Sequence, residues 1–449
     1  MPIIVGNTTT NSAITSTSLS EMAPQSFVVT NALRNSVRPA LLLPFAQSGT
    51  VDPRITFIRS SSATYFNSQG VLTTAPNNVP RIDFDPATGR CLGLLIEVGR
   101  TNSIPNNTMV GAVAGIPGTL PTNWFTFTAI GGLTREIVGT GIEDGISYID
   151  IKLSGTPAAA GYYYISMSQT TQIVANNNER WAGSFYTKLV GGSLTNIIRT
   201  AIGVSNRNSI GDVITGTEIN FTPTSSSLRT QRVIATHLNA SVSTAYELLY
   251  TAIQFTTSPI DLTLRIGLPQ LELGAFATSV IATTTAAATR TLENARIPLG
   301  SWYNASAFSL LVEAQKNTAV DPGYGTPVEL NDGTVTRRTT IYNNVFTATM
   351  RFSGGGADIL AGTYTPGVPY KIAGAITGTS TTTGTIAASF NGATAVTGTT
   401  ANLDSASYTN MNIGYIGGIG AGNHMNGWIQ RIAYYPVAFS NTQLQAMSS

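Results

Sequence analysis

Only 10% of the 449 residues are charged, and 24 Lys and Arg nearly balance 22 Asp and Glu for a net charge of +2. The basic residues are dispersed, so the chain lacks the basic stripe that displaces counterions from nucleic acid. A single cysteine, Cys91, excludes an intramolecular disulfide framework and a cysteine-based zinc site. With no histidine near it in sequence, it reads as a small buried residue rather than a reactive thiol. Histidine is almost absent as well: there are two, His237 and His424. Neither adjoins a Gly-x-Ser-x-Gly elbow, and no His/Asp spacing suits a metal, so no catalytic or metal-ligating residue is assigned. Nor does any apolar run approach the roughly 18 residues a membrane-spanning helix needs. The opening MPIIVGNTTTNS has neither the basic nor the apolar region of a signal peptide. These absences lead us to expect a chain made in the cytoplasm that leaves, if at all, inside an assembly.

What remains is 42% hydrophobic and rich in Gly, Ser and Thr, too apolar for a disordered tail and poor in strong helix formers. At this length two or three domains are expected, all of them β. Residues 1–45 are Thr- and Ser-rich, with capping-box spacing at Ser18–Glu21. They read as an arm that orders on a partner. Residues 46–103 form a small β junction: Ile55–Ile58 follows Asp52-Pro53, Asn67–Gly70 turns a hairpin, and Arg81–Asp85 alternates. Residues 104–275 carry alternating runs (Tyr148–Leu153, Tyr162–Met167, Trp181–Leu189, Ile197–Val204, Tyr246–Phe255, Ile260–Ile266) between Gly- and Asn-bearing turns, the pattern of a sandwich or jelly roll. Residues 276–296, with ATTTAAATR, read as an extended linker. Residues 297–449 read as a second sandwich. There Asn391-Gly392 is the strongest hairpin signal, and Ser440 caps a short helix at Thr442–Met447. The expected fold is therefore an arm, a junction module and two antiparallel β-sandwiches in series.

The stretches DPRITFIRSSSATYFNSQGVLTTA, PRIDFDPATGRCLGLLIE and RTN resemble the junction module of bacteriophage and gene-transfer-agent fibre or spike proteins. LPQLELGAFATSVIATTTAAATRTLENARI and WYNASAFSLLVEA are similar to the same family. NGWIQRIAYYPVAFSNTQLQAM resembles the closing strand and helix of concanavalin-like (laminin-G-like) jelly rolls. This resemblance implies a virion part. Its arm would dock on a capsid, portal or tail protein, its sandwiches would bind host-surface glycan, and its copies would associate, by family habit, as a trimer. Nucleic acid and membrane insertion are not implied, no cofactor is assigned, and calcium in either sandwich is left open.

Sugars offer apolar C–H patches to flat rings and hydroxyls to amides and carboxylates. Loop positions that combine the two are Trp302-Tyr303-Asn304, Tyr324, Tyr342-Asn343 and Asn423-His424. Trp124, Trp181 and Trp428 sit inside or lead alternating runs and read as core. His237 reads as a satisfied sheet residue. Glycoside hydrolysis would need two carboxylates about 5–9.5 Å apart; Glu272, Glu313 and Asp404 are present, without a pattern that pairs them. The cluster Arg81, Asp83, Asp85, Glu97 and Arg100 reads as structural ion pairs. Three functions follow: a glycan-binding fibre or spike, a jelly-roll polysaccharide hydrolase, and an architectural decoration protein.

Overall fold

The computed structural model describes residues 38–127, 129–318, 323–334, 336–344, 347–379, 381–401, 403–417 and 423–449. The helix start expected at Ser18–Glu21, and most of the attachment arm, lie outside them. The chain is all-β, with two antiparallel sandwiches. In the first, a sheet ordered Arg232–Leu238, Arg180–Gly192, Ile260–Leu273, Ile146–Gly155, Leu133–Glu143 packs on a second sheet. That one is ordered Val213–Phe221, Ile197–Arg207, Tyr246–Phe255, Gly161–Ser166, Phe125–Thr126, with Ile173–Val174 also on Tyr246–Phe255. Alternation decides which face is buried: Leu249, Ile253 and Phe255 enter the core beside Ile149, Ile151, Phe185, Leu264 and Ile266. Each such side chain stabilises the fold by about 1.5–3 kcal/mol.

The second sandwich recruits more than residues 297–449. One sheet runs Val396–Thr400, Gly384–Phe390, Tyr370–Thr377, Ala307–Lys316, Gly427–Tyr435, Cys91–Ile96, Arg81–Phe84, with Leu41–Leu43 also on Gly427–Tyr435. The other runs Thr56–Ile58, Asn294–Pro298, Asn410–Ile413, Gly325–Asn331, Arg338–Asn343, Thr349–Gly354, Ala357–Thr363. Leu41, Leu43, Phe57, Leu94, Ile96, Ala295 and Ile297 are accordingly buried in its core. The junction therefore supplies strands to the C-terminal sandwich, while Ala63–Phe66 and Leu72–Ala75 pair as the expected hairpin. Residues 276–296 differ from a free linker in the same way: Ala288–Arg290 pairs with Arg100–Asn102, and Asn294–Pro298 lies inside a sheet. The chain leaves the second sandwich at Asn102, builds the first, and returns at Ala288, its register partner. Pairing across some 190 residues has no local sequence signal, which is why periodicity reads the two bodies as consecutive.

Local chemistry closes the hairpins and the C-terminus. Asn391 and Gly392 both take positive φ (46° and 75°), as a tight turn after Gly384–Phe390 requires. Ser440 Oγ accepts from Gln443 N and the Gln443 side chain accepts from Ser440 N. This capping box starts the helix Asn441–Ser448. Among the described residues no helix is long and apolar enough to cross a membrane.

Candidate functional site

The structure does not gather the eight loop positions into one site. Trp302 packs 4.9 Å from Tyr434, and Tyr303 lies among Phe308, Tyr408 and Tyr434 with its hydroxyl donating to Ser405 O (2.9 Å). Asn304 Nδ2 donates to Pro436 O. These three side chains hold the start of Ala307–Lys316 in place. About 30 Å away, at the other end of that strand, Lys316 Nζ donates to Asn343 Oδ1 (2.7 Å), and both residues are fully buried. There Asn423 Oδ1 accepts from Tyr324 N, Tyr324 meets Tyr342 edge-on at 5.3 Å, and Tyr342 donates to Asp358. Burial, then Asp358, pushes the Tyr342 hydroxyl up to about 12. His424, expected in an open loop, is 4% exposed, stacked on Tyr415 with Nε2 3.3 Å from Asn294 Oδ1. Burial drops its pKa to about 4, so it is neutral at pH 7. His237 is buried, with Nδ1 3.0 Å from Thr217 Oγ1.

The junction charges form a buried network. Arg81 bonds Glu97 (2.9 Å) and Glu293 (2.6 Å), Arg59 bonds Glu293 (2.8 Å), and Arg290 pairs with Glu97. Ser279 Oγ also donates to Glu97 (2.6 Å). Burial alone would raise the Glu97 carboxyl; Arg290 and Arg81 outweigh it and hold the pKa at about 2. Asp83 makes no ion pair among the described residues. It accepts from Phe66 N and Trp428 Nε1 (both 2.8 Å), and burial pushes it up to about 6. Asp85 caps its own turn through Ala87 N and Thr88 N, and Arg100 lies over the Phe276 ring at 5.2 Å. Asp83, Asp85 and Glu97 line a cleft of about 720 Å³ between the sandwiches. Trp428, expected in the core, is half-buried and lines it too. Trp124 and Trp181 are core residues. Cys91 is only partly buried. Among the described residues no group of three or more His, Cys, Asp or Glu could hold a metal.

The most organised surface lies on the first sandwich, on the outer side of the sheet that contains Tyr246–Phe255. Because Leu249, Ile253 and Phe255 point inward, Leu248, Tyr250, Ala252 and Gln254 point outward. Their register partners Ala201, Gly203, Tyr162 and Tyr164 share that side. The floor is small: Ala201, Ala252 and Gly203. A Cβ on Gly203 would stand 2.1 Å from Tyr250 Cζ, so only glycine lets that ring lie across the strand. Tyr250 OH then reaches Glu218 Oε1 (3.0 Å). Burial, then Glu218, raises the Tyr250 pKa well beyond the ordinary tyrosine range. Tyr162 and Tyr164 stack at 5.5 Å with 13° between planes, Phe127 meets Tyr164 edge-on at 6.1 Å, and Phe125 meets Phe127 at 4.6 Å. Opposite the rings, Arg199 pairs with Glu218, donates to Gln254 Oε1 and Asn220 Oδ1 (3.1 Å each), and lies over Tyr162. Part-exposed ring faces beside a row of amides and a carboxylate can take sugar C–H patches and hydroxyls together. The signal was in the sequence: Tyr162 and Tyr164, two apart in GYYYIS, must share a face, and both neighbour the core position Tyr163.

Fold and site thus define an all-β chain of two antiparallel sandwiches with an aromatic, amide-rimmed sheet face. No family model and no curated protein matches it. Among solved structures it is similar to the N-terminal CBM22-1-CBM22-2 tandem domain of Paenibacillus barcinonensis Xyn10C, with 10% identity, 77% of this chain and 98% of that one covered, and a TM-score of 0.23. It is also similar to Trypanosoma rangeli sialidase in complex with the inhibitor DANA (8% identity, 73% and 69% covered, TM-score 0.26). The same sialidase with sialic acid gives 9% identity, 88% and 76% covered and a TM-score of 0.27. Scores this low carry no functional argument.

Proposed function

We propose that the chain is an adhesive structural protein that binds cell-surface polysaccharide through the Tyr162–Tyr164–Tyr250 face of its first sandwich. The single observation that supports this reading is the pairing of the stacked, part-exposed Tyr162 and Tyr164 rings, with the buried Tyr250 edge-on to Tyr164, and the Arg199–Glu218–Asn220–Gln254 row on one sheet face. The junction and closing-strand resemblance extends the proposal to a fibre or spike of a phage or phage-like particle. Its N-terminal region would attach to a capsid, portal or tail protein, with copies associating as a homo-oligomer, a trimer by family habit. Weak contacts repeated over several copies would give avidity. The test is retention of purified protein on immobilised capsular polysaccharide and lipopolysaccharide. Wild type should bind without shortening the polymer, and a Tyr162→Ala/Tyr164→Ala variant should lose at least tenfold in affinity. A loss under twofold refutes the assignment of this face.

A polysaccharide hydrolase is the second reading, favoured by Asp83 at about 6 and Glu97 at about 2 lining one cleft, a separation that acid/base pairs use. Against it, Glu97 is spent on Arg81, Arg290 and Ser279. New reducing ends after incubation with purified capsule would favour it over adhesion.

A further inference from the structure

Arginines on the aromatic face are treated unequally. Arg199 is answered by Glu218 and two amide oxygens. Arg207 is 8% exposed, yet it makes no ion pair with any described residue. Its Nη1 donates to Gly211 O (3.2 Å), its Nε has no hydrogen-bond partner among the described residues, and its Cζ lies 4.9 Å from the centre of the Phe127 ring. The ring compensates part of the desolvation, but a guanidinium this deeply buried is costly without an anion. Burial accordingly lowers its pKa. Two carboxylates are near without pairing with it: Glu247, on the neighbouring strand, accepts instead from Asn239 Nδ2 (2.8 Å) and is pushed up to about 8 by burial, and Asp212, next to Gly211, acts on the guanidinium only from beyond ion-pair distance. Phe127 in turn packs on Tyr164, so Arg207 stands beside the rings rather than at a remote edge.

We propose that Arg207 is the anion receptor of this face, and that its ligand is a carboxylate-bearing polysaccharide whose sugar rings lie on Tyr162 and Tyr164. The inference rests on the face being a glycan site, and adds the class of glycan. A guanidinium attracts a carboxylate strongly, and a ligand carboxylate beside Arg207 would supply the close counter-charge that neither Asp212 nor Glu247 gives it.

The test uses the full chain and three defined polymers, hyaluronan, alginate and polygalacturonate, each against its carboxyl-reduced form at one fixed ionic strength. Wild type should bind at least one acidic polymer ten or more times tighter than its reduced form. In Arg207→Gln that ratio should collapse towards one, and Arg207→Lys should restore part of it. Tyr164→Ala should weaken both forms and leave the ratio standing. Equal affinity of wild type for acidic and reduced polymers overturns the inference while the glycan site survives, as does an Arg207→Gln variant that keeps the ratio. Absence of binding to all six overturns it together with the reading of the face. Unfolding temperatures of the variants within a few degrees of wild type exclude misfolding as the cause.

Discussion

Replacing Glu293 by glutamine removes one negative charge from a place with no access to water. Its carboxylate is fully buried and accepts from Arg59 Nη1 (2.8 Å), Arg81 Nε (3.0 Å), Arg81 Nη2 (2.6 Å) and Glu97 N (2.9 Å). Glutamine has nearly the same shape, so the change leaves no cavity. What it does leave is a buried Arg59 without its ion-pair partner among the described residues, and Arg81 and Arg290 sharing Glu97, with an amide NH2 in place of an acceptor. Breaking a buried pair from one side costs about 3–5 kcal/mol. At roughly 2–4 °C per kcal/mol for a domain of this size, the second sandwich should melt about 6–20 °C lower.

Differential scanning calorimetry at pH 7 is the assay, and Glu313→Gln is the control. Glu313 pairs with Arg431 at 3.4 Å, partly exposed, and such pairs contribute no more than about 1 kcal/mol. If Glu293→Gln shifts the transition no further than Glu313→Gln, the network is not what holds the junction to the second sandwich, and the reasoning fails.

Gly203→Ala should push Tyr250 off its strand and break the bond to Glu218, costing polysaccharide affinity fivefold or more; retention assays on a variant with an unchanged circular dichroism spectrum decide it. Glu247→Gln addresses pH. The Glu247 carboxyl is raised by burial from 4.5 to about 8. Folding therefore loses stability as pH rises from about 4.5 through 8, at about 1.4 kcal/mol per unit at most. The variant should match wild type near pH 5 and exceed it at pH 8, and a parallel pH dependence of the two unfolding temperatures would contradict this. Glu97 acts in the opposite sense: its contribution is whole above about 4.5 and is lost as pH falls through about 2. Together they place maximal stability on the acid side of neutrality.

Strands buried on one or both faces were legible. Tyr246–Phe255 matches its alternating run end to end, and Ile197–Arg207 and Arg180–Gly192 extend theirs by a few residues. Among the strands that escaped notice, two causes stand out. Leu133–Glu143, Val213–Phe221 and Ala357–Thr363 lie at sheet edges, where solvent on one side admits polar and glycine residues that blur the pattern. Gly325–Asn331 is central and buried throughout, but Pro327 disguises it. Of the charged cluster, Arg81 and Glu97 were visible because they lie 16 residues apart, on one strand and just past the end of its neighbour. Arg59, Arg290 and Glu293 were not, since nothing local ties residue 59 to residue 293. The sugar-site expectation went to loops because aromatic-polar neighbours are conspicuous there. On the first sandwich the same chemistry is assembled by register from four strands, each contributing one or two residues.

The network also answers a problem that the nested topology creates. The segments joining the two bodies are very short: Arg100–Asn102 and Ala288–Arg290 have three residues each. A strand that short carries too little alternation for burial to penalise a slip by one residue. Apolar packing could match the stability of a buried ion cluster, but it lacks direction. Arg290 sits in the returning strand and bonds Glu97 and Val98 O, while Glu293 bonds Arg59, Arg81 and Glu97 N. Any slip of either segment breaks several of these at once, leaving charges buried and unpaired. Register is thus fixed by hydrogen-bond geometry where the hydrophobic pattern is too brief to fix it.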